Sequence, residues 1–93
     1  MLKQFCSERI IDTTITETAI MGMASGAALT GLRPVAELMF VDFMGVCFDQ
    51  ILNQTAKFRY MFGGKAVTPL TITGSKTAYG FKLPVLPTFI PIE

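Results

Sequence analysis

Glu17 is the side chain whose neighbours best suit proton chemistry. It stands at the head of a run of small and apolar residues that continues to Thr30. A carboxyl group carried into a dry pocket has its pKa raised, and it can then hold or share a proton. The same residue also has an ordinary structural role. Thr14-Ile15-Thr16-Glu17 fits a capping box, in which Thr14 caps a helix and Glu17 reaches back to the Thr14 amide. A carboxylate also suits the positive end of a helix dipole. From the local sequence alone, capping outweighs catalysis.

The other chemistry-bearing side chains read as structure. Asp42 and Asp49 are spaced to share a helical face and read as solvated. Phe43, Phe48 and Phe58 recur along the apolar side of a helical pattern and read as core. Arg33, before Pro34, reads as a surface or interface cation. Gly22-Met23-Ala24-Ser25-Gly26 carries a small-xxx-small spacing that lets helices approach closely. It is not a GxGxxG fingerprint, and no P-loop lysine follows it. The sequence contains no histidine. That excludes Ser-His-Asp and Cys-His nucleophilic sites and most zinc sites. Cys6 and Cys47 form no CxxC pair and read as reduced thiols.

These residues need elements to position them. Arg9-Ile10-Ile11 predicts a short strand that leads into a loop over Asp12 to Thr14. Helical spacing then runs from Thr16 to Thr30, with Gly31 as its C-terminal cap. Its Ala, Gly and Met content predicts burial on several sides. Val35 to Met39 predicts a buried strand. Phe40 to Tyr60 predicts a second, longer helix. Phe43, Met44, Cys47, Phe48, Ile51, Leu52, Thr55 and Phe58 form its apolar face, and Asp42, Asp49, Gln50, Asn53, Gln54 and Lys57 its wet face. Gly63-Gly64 stops that helix, and Thr68 to Thr73 predicts a third strand. The order β-α-β-α-β implies an α/β fold with a parallel sheet and right-handed crossovers. Thr73 to Glu93 holds three of the five prolines and no helical period, and reads as an extended tail.

The chain has 93 residues, enough for one small domain. It is 51% hydrophobic and 16% charged, with mean hydropathy +0.49. That is apolar for a free-standing domain of this size, so apolar surface should meet a partner or the rest of a larger protein. Net charge is +1 with no basic patch, which argues against nucleic acid or an anionic membrane. No signal peptide is expected, and the apolar run Thr18 to Leu32 is too short to span a bilayer.

Several stretches carry a family resemblance. They are Arg9-Ile10-Ile11-Asp12-Thr13, Ile15-Thr16-Glu17, Gly31-Leu32-Arg33-Pro34-Val35-Ala36-Glu37, Met39-Phe40-Val41-Asp42-Phe43-Met44-Gly45-Val46-Cys47, Asp49-Gln50-Ile51 and Arg59-Tyr60-Met61-Phe62-Gly63-Gly64-Lys65. Together they resemble the β subunit of the E1 component of thiamine diphosphate-dependent 2-oxo acid dehydrogenase complexes. The wording from Met39 to Cys47 tilts toward the acetoin dehydrogenase branch over the pyruvate branch. The likeness runs from Arg9 to Ile72, so residues 1–72 are expected to be a partial, transketolase-like pyrimidine-binding domain. Residues 73–93 are expected to lie outside the family text, as in a frameshifted or truncated reading frame. The family's β subunit begins before Met1 and continues into a further domain, so the chain is expected to be a fragment, inactive alone.

The resemblance implies roles for particular residues. Glu17 falls on the glutamate that contacts N1′ of the cofactor's aminopyrimidine and promotes formation of the thiazolium ylide. Phe43 falls on the aromatic residue that packs against the pyrimidine, and Met39 on a further wall of that pocket. Leu70 falls near a backbone position that binds a monovalent cation in the family, and the rest of that cation site is not matched. No metal-ligand motif is present, so Mg²⁺ and the diphosphate are implied to be held by an E1 α subunit. The implied reaction cleaves acetoin, or processes a 2-oxo acid, and passes the acyl unit to a lipoyl group on an E2 partner. The implied setting is a cytoplasmic α₂β₂ oxidoreductase. The rival expectations are an interaction module that binds an α subunit without catalysis, and a non-catalytic remnant. The family carries proline where Thr14 stands, so a Thr14 capping box would compete with the cofactor for Glu17.

Overall fold

A computed structural model describes residues 4–6 and 8–75. Helix α1 spans Glu17–Leu29, strand β1 Val35–Phe40, and strand β2 Thr71–Ser75. β1 and β2 pair in parallel, with Val35 opposite Thr71, Ala36 opposite Ile72 and Leu38 opposite Gly74. A bulge between Leu38 and Phe40 shifts the register at the C-terminal end. Parallel pairing requires a long crossover, and the helical segments between the two strands supply it.

α1 lies where the sequence places it, and its C-terminus is a Schellman motif. The Leu32 amide bonds the Ala27 carbonyl at 3.2 Å, and the Gly31 amide bonds the Ala28 carbonyl at 3.0 Å. The motif requires a left-handed residue, and Gly31 supplies it with φ 94°. Burial is narrower than expected. Met21, Ser25 and Ala28 form a single buried stripe, whereas Met23 and Leu29 are exposed. α1 packs chiefly against β1 and the Gln50–Gln54 turn, and Ala19 and Gly26 remain exposed.

β1 alternates cleanly. Ala36 and Leu38 face the core, while Val35, Glu37 and Met39 face the other side. The core contains Met21, Ala28, Ala36, Leu38, Cys47 and Leu70, with Ile20, Ala24, Met44, Ile51 and Ile72 packed against it. It lies between α1, the buried face of the sheet and the crossover.

The helix expected over Phe40 to Tyr60 is broken into pieces. β1 takes Phe40, and Val41–Gly45 forms a 3₁₀ turn. Gln50–Gln54 is a π-helical turn, Thr55–Lys57 a 3₁₀ turn, and Phe58–Met61 a short helix, α2. Buried hydroxyls account for the widened turn. The Thr55 hydroxyl bonds the Gln50 carbonyl at 2.8 Å, five residues back, and lies in a short hydrogen bond with the Ser25 hydroxyl. Ser25 also bonds the Met21 carbonyl at 2.8 Å, and the Thr68 hydroxyl bonds the Thr55 carbonyl at 3.5 Å. A polar side chain in the core must be satisfied, and here the helix deforms to satisfy it. The expected apolar face is therefore only partly buried. Cys47 and Thr55 are buried, Met44, Ile51 and Phe58 half-buried, and Phe43, Phe48 and Leu52 exposed. The polar face is as expected at Asp49, Asn53 and Lys57, which form an exposed ladder with both bonds at 2.7 Å.

Two strand expectations change. Arg9 to Ile11 is not a strand. The Arg9 amide closes a turn onto the Cys6 carbonyl at 3.0 Å, and Ile11 is exposed. Three residues offer too few ladder bonds to hold a strand against that turn, so the described sheet has two strands rather than three. The strand expected at Thr68 begins instead at Thr71. Pro69 has no N–H, and the Leu70 amide bonds Thr68 at 2.7 Å, so the ladder opens with the Thr71 amide on the Pro34 carbonyl at 3.1 Å. β2 carries regular structure to Ser75, and the remainder of the expected tail lies outside the described residues.

Candidate functional site

The N-terminus of α1 meets the 3₁₀ turn that follows β1. Glu17 is the first helical residue and is half-buried. Thr16, not Thr14, is the N-cap, and its side chain makes no capping bond. A capping box needs its glutamate three positions after the cap, and Glu17 stands at the first. The expected competition from Thr14 therefore does not arise. Among the described residues the Glu17 carboxylate accepts none of the side-chain hydrogen bonds.

Phe43 sits in the Val41–Gly45 turn, 39% exposed. The core role expected for it is therefore wrong. β1 extends one residue further than expected and the chain then turns tightly, which swings this ring outward. The Phe40 ring meets it edge-on, with centroids 5.7 Å apart and planes at 84°. That contact fixes the Phe43 ring while leaving part of it open. The turn is bound to α1 by the Thr18 hydroxyl, which donates to the Val46 carbonyl at 3.1 Å. Cys47 completes the junction: its thiol lies 3.7 Å from the Phe43 carbonyl and 3.5 Å from the Met44 carbonyl. Met39 is exposed, on the face of β1 opposite Leu38. Leu70 is buried and packs in the core.

Cys47 is the titrating group the junction perturbs. Burial pushes its thiol above the ordinary 9.0, a backbone hydrogen bond opposes that, and the charge of Glu17 raises it further. The Glu17 charge is thus within electrostatic reach of Cys47. The fold favours the protonated thiol, so this contribution to stability is complete below the unfolded thiol's pKa and is lost as pH rises past it. We expect the melting temperature to fall as pH is raised beyond about 9, with the fall reduced in Cys47→Ala. Iodoacetamide should alkylate exposed Cys6 in the folded chain and spare Cys47. Equal rates at both thiols would contradict that burial.

Among the described residues, the arrangement holds one carboxyl group that takes part in no side-chain hydrogen bond and one partly open aromatic ring, on segments joined by the Thr18–Val46 bond. No three His, Cys, Asp or Glu side chains converge among the described residues. No described helix is long and apolar enough to cross a membrane.

The chain belongs to the transketolase pyrimidine-binding domain family, whose pattern matches residues 1–84. Its relatives narrow that class. It is 68% identical over 65 residues to acetoin:2,6-dichlorophenolindophenol oxidoreductase subunit beta of Cupriavidus necator, covering 70% of this chain and 19% of that protein. The subunit of the same name from Bacillus subtilis is 58% identical over 80 residues, covering 86% of this chain and 22% of its own length. Pyruvate dehydrogenase E1 component subunit beta of Rickettsia felis is 46% identical over 78 residues, 84% of this chain and 24% of that protein. The chain thus spans about a fifth to a quarter of the length of the curated relatives it matches.

Of the expected site residues, Glu17 opens α1, Phe43 lies in the Val41–Gly45 turn and Met39 is exposed near the end of β1. Sequence reasoning missed Thr18. Nothing in its spacing signals a bond to a carbonyl 28 positions away.

Proposed function

We propose that this chain is the pyrimidine-binding part of the β subunit of a thiamine diphosphate-dependent acetoin or 2-oxo acid dehydrogenase. The observation that supports this reading is the Thr18–Val46 hydrogen bond, which joins the first turn of α1, where Glu17 stands, to the residue after the turn that holds Phe43. In this reading Glu17 meets the ring nitrogen of the aminopyrimidine and holds or shares its proton there. Phe43 stacks on that ring and keeps water from one face. The positive end of α1 favours the carboxylate when the proton is shared out. Held there, the cofactor would supply nucleophilic chemistry toward a substrate carbonyl. Met39 contributes a further wall of the pyrimidine pocket.

The diphosphate and Mg²⁺ fall to an E1 α subunit, and a lipoyl-bearing E2 accepts the acyl group. Acetoin is favoured as substrate by the two relatives that carry acetoin in their names. A cytoplasmic α₂β₂ assembly completes the reading. A second reading, an interaction module without catalysis, is favoured by exposed Ile15, Val35 and Tyr60, at 75%, 66% and 91%.

The test is acetoin-dependent reduction of 2,6-dichlorophenolindophenol with thiamine diphosphate and Mg²⁺. Turnover is expected only when the chain is assembled with an E1 α subunit. Turnover by the chain alone, or full turnover by the α subunit alone, would contradict the division of the site. Stable assembly with α but no dependence on the cofactor would favour the second reading.

A further inference from the structure

We infer that Thr18 is a positioning residue for the Glu17–Phe43 pair, an inference that rests on the cofactor reading above. Thr18 follows Glu17 in the first turn of α1, and its hydroxyl reaches across to the Val46 carbonyl at 3.1 Å. Val46 is the residue just after the turn that carries Phe43, and its amide bonds the Phe43 carbonyl at 3.0 Å. The Val46 residue is therefore fastened twice, by its N–H to Phe43 and by its C=O to Thr18.

The bond matters because the first turn of α1 has no other side-chain anchor of this kind. The N-cap Thr16 makes no side-chain bond. An uncapped helix end leaves its first amides without intrahelical partners and frays. Glu17 lies in that turn. Among the described residues, Thr18 is the side chain of this first turn that hydrogen-bonds to another element. The bond links the segment that carries Glu17 to the segment that carries Phe43, and so adds a directional tie to the packing of Met21 and Cys47 in the shared core. Thr18 touches neither ring nor cofactor and acts only through its neighbours.

The experiment uses this chain assembled with an E1 α subunit and titrated with thiamine diphosphate by calorimetry. The variants are Thr18→Val, which keeps the shape and removes the hydroxyl, Thr18→Ser, which keeps the hydroxyl, and Glu17→Gln. Thr18→Ala replaces the valine variant if that does not assemble. Alkylation of Cys47 in a Cys6→Ser background reports on the junction without the cofactor. One neutral hydrogen bond corresponds to a change of about fivefold. We expect Thr18→Val to weaken cofactor binding by about that factor and to speed alkylation of Cys47. Thr18→Ser should restore both to near the parent. Parent-like affinity in Thr18→Val, where Glu17→Gln weakens binding, overturns the inference and leaves the cofactor reading standing. Equal losses in Thr18→Val and Thr18→Ser also overturn it, because the hydroxyl is then not the cause. If Glu17→Gln binds as the parent does, the cofactor reading fails, and this inference falls with it.

Discussion

Replacing Glu17 with glutamine is expected to lower turnover of the α/β assembly by about 10²- to 10⁴-fold, the range for loss of a positioned proton-transfer group. Glutamine keeps the size and one acceptor oxygen of glutamate but cannot hold the proton. The substitution should leave the fold in place. Glu17 is half-buried, and among the described residues its carboxylate takes part in no side-chain hydrogen bond. The one favourable interaction lost is with the helix dipole, worth about 0.3–1 kcal/mol. The measurement is kcat for acetoin-dependent dye reduction beside a thermal melt of the same sample. A parent-like kcat with an unchanged melt would remove Glu17 from the chemistry. A collapsed melt would assign it to stability instead.

The second large effect concerns the core. Met21→Ala is expected to destabilise the chain by about 2–5 kcal/mol, the range for truncating a large buried apolar side chain. Met21 is 0% exposed and packs in the small cluster with Ala28, Ala36, Leu38, Cys47 and Leu70. Three of those residues are small, so little can move in to fill the space. The total stability of a small domain is about 5–15 kcal/mol, and one substitution would remove a large share of it. Urea denaturation followed by circular dichroism reads the effect as a lower midpoint. A midpoint equal to the parent's would mean that Met21 is not part of the core that holds α1 to the sheet.

The two effects separate the roles along α1. In the proposed function its first turn presents the chemistry, and the stripe from Met21 through Ser25 to Ala28 is the buried face that packs the helix. Ser25 shows how closely the two are joined. It ties α1 to Thr55 in the π-helical region, while Thr18 ties α1 to Val46 nearer the site. The crossover is thus anchored at two places on one helix.

The elements that were legible in the sequence are those set by local chemistry. Gly31 announced the end of α1, because only a residue tolerant of positive φ completes a Schellman motif without strain. The short apolar run from Val35 to Met39 revealed β1, although only Ala36 and Leu38 of it are buried, and Gly63 and Gly64 marked the end of the second helical stretch, with φ 60° and 82°. The second helix was misread because helical periodicity says nothing of where a buried hydroxyl will find its partner. Thr55 looked like one more residue on an apolar face, yet its bonds to Ser25 and Gln50 reshape the backbone. The Arg9–Ile11 strand was misread for a related reason: pairing depends on a neighbour that a local sequence does not specify. The roles read for Glu17 and Phe43 came from the family likeness. The Thr14 capping box was plausible from spacing and failed because the helix starts at Glu17 itself.

The chain leaves several large apolar residues exposed among those described. It matches about a fifth to a quarter of its relatives' length. Residues such as Ile11, Leu32 and Val67 are 78%, 61% and 55% exposed. An apolar composition that cannot be buried within this segment is what mean hydropathy +0.49 demanded at the outset.

Calorimetric titration of thiamine diphosphate, in the presence of Mg²⁺, tests most directly whether this chain supplies half of the cofactor site. The comparison is between an E1 α subunit alone, the chain alone, and the two assembled. Saturable binding is predicted only for the assembly, weakened by about 10- to 100-fold when Glu17→Gln removes a charge-assisted hydrogen bond. Equal affinity for the α subunit with and without this chain would contradict the claim that Glu17 and Phe43 hold the pyrimidine.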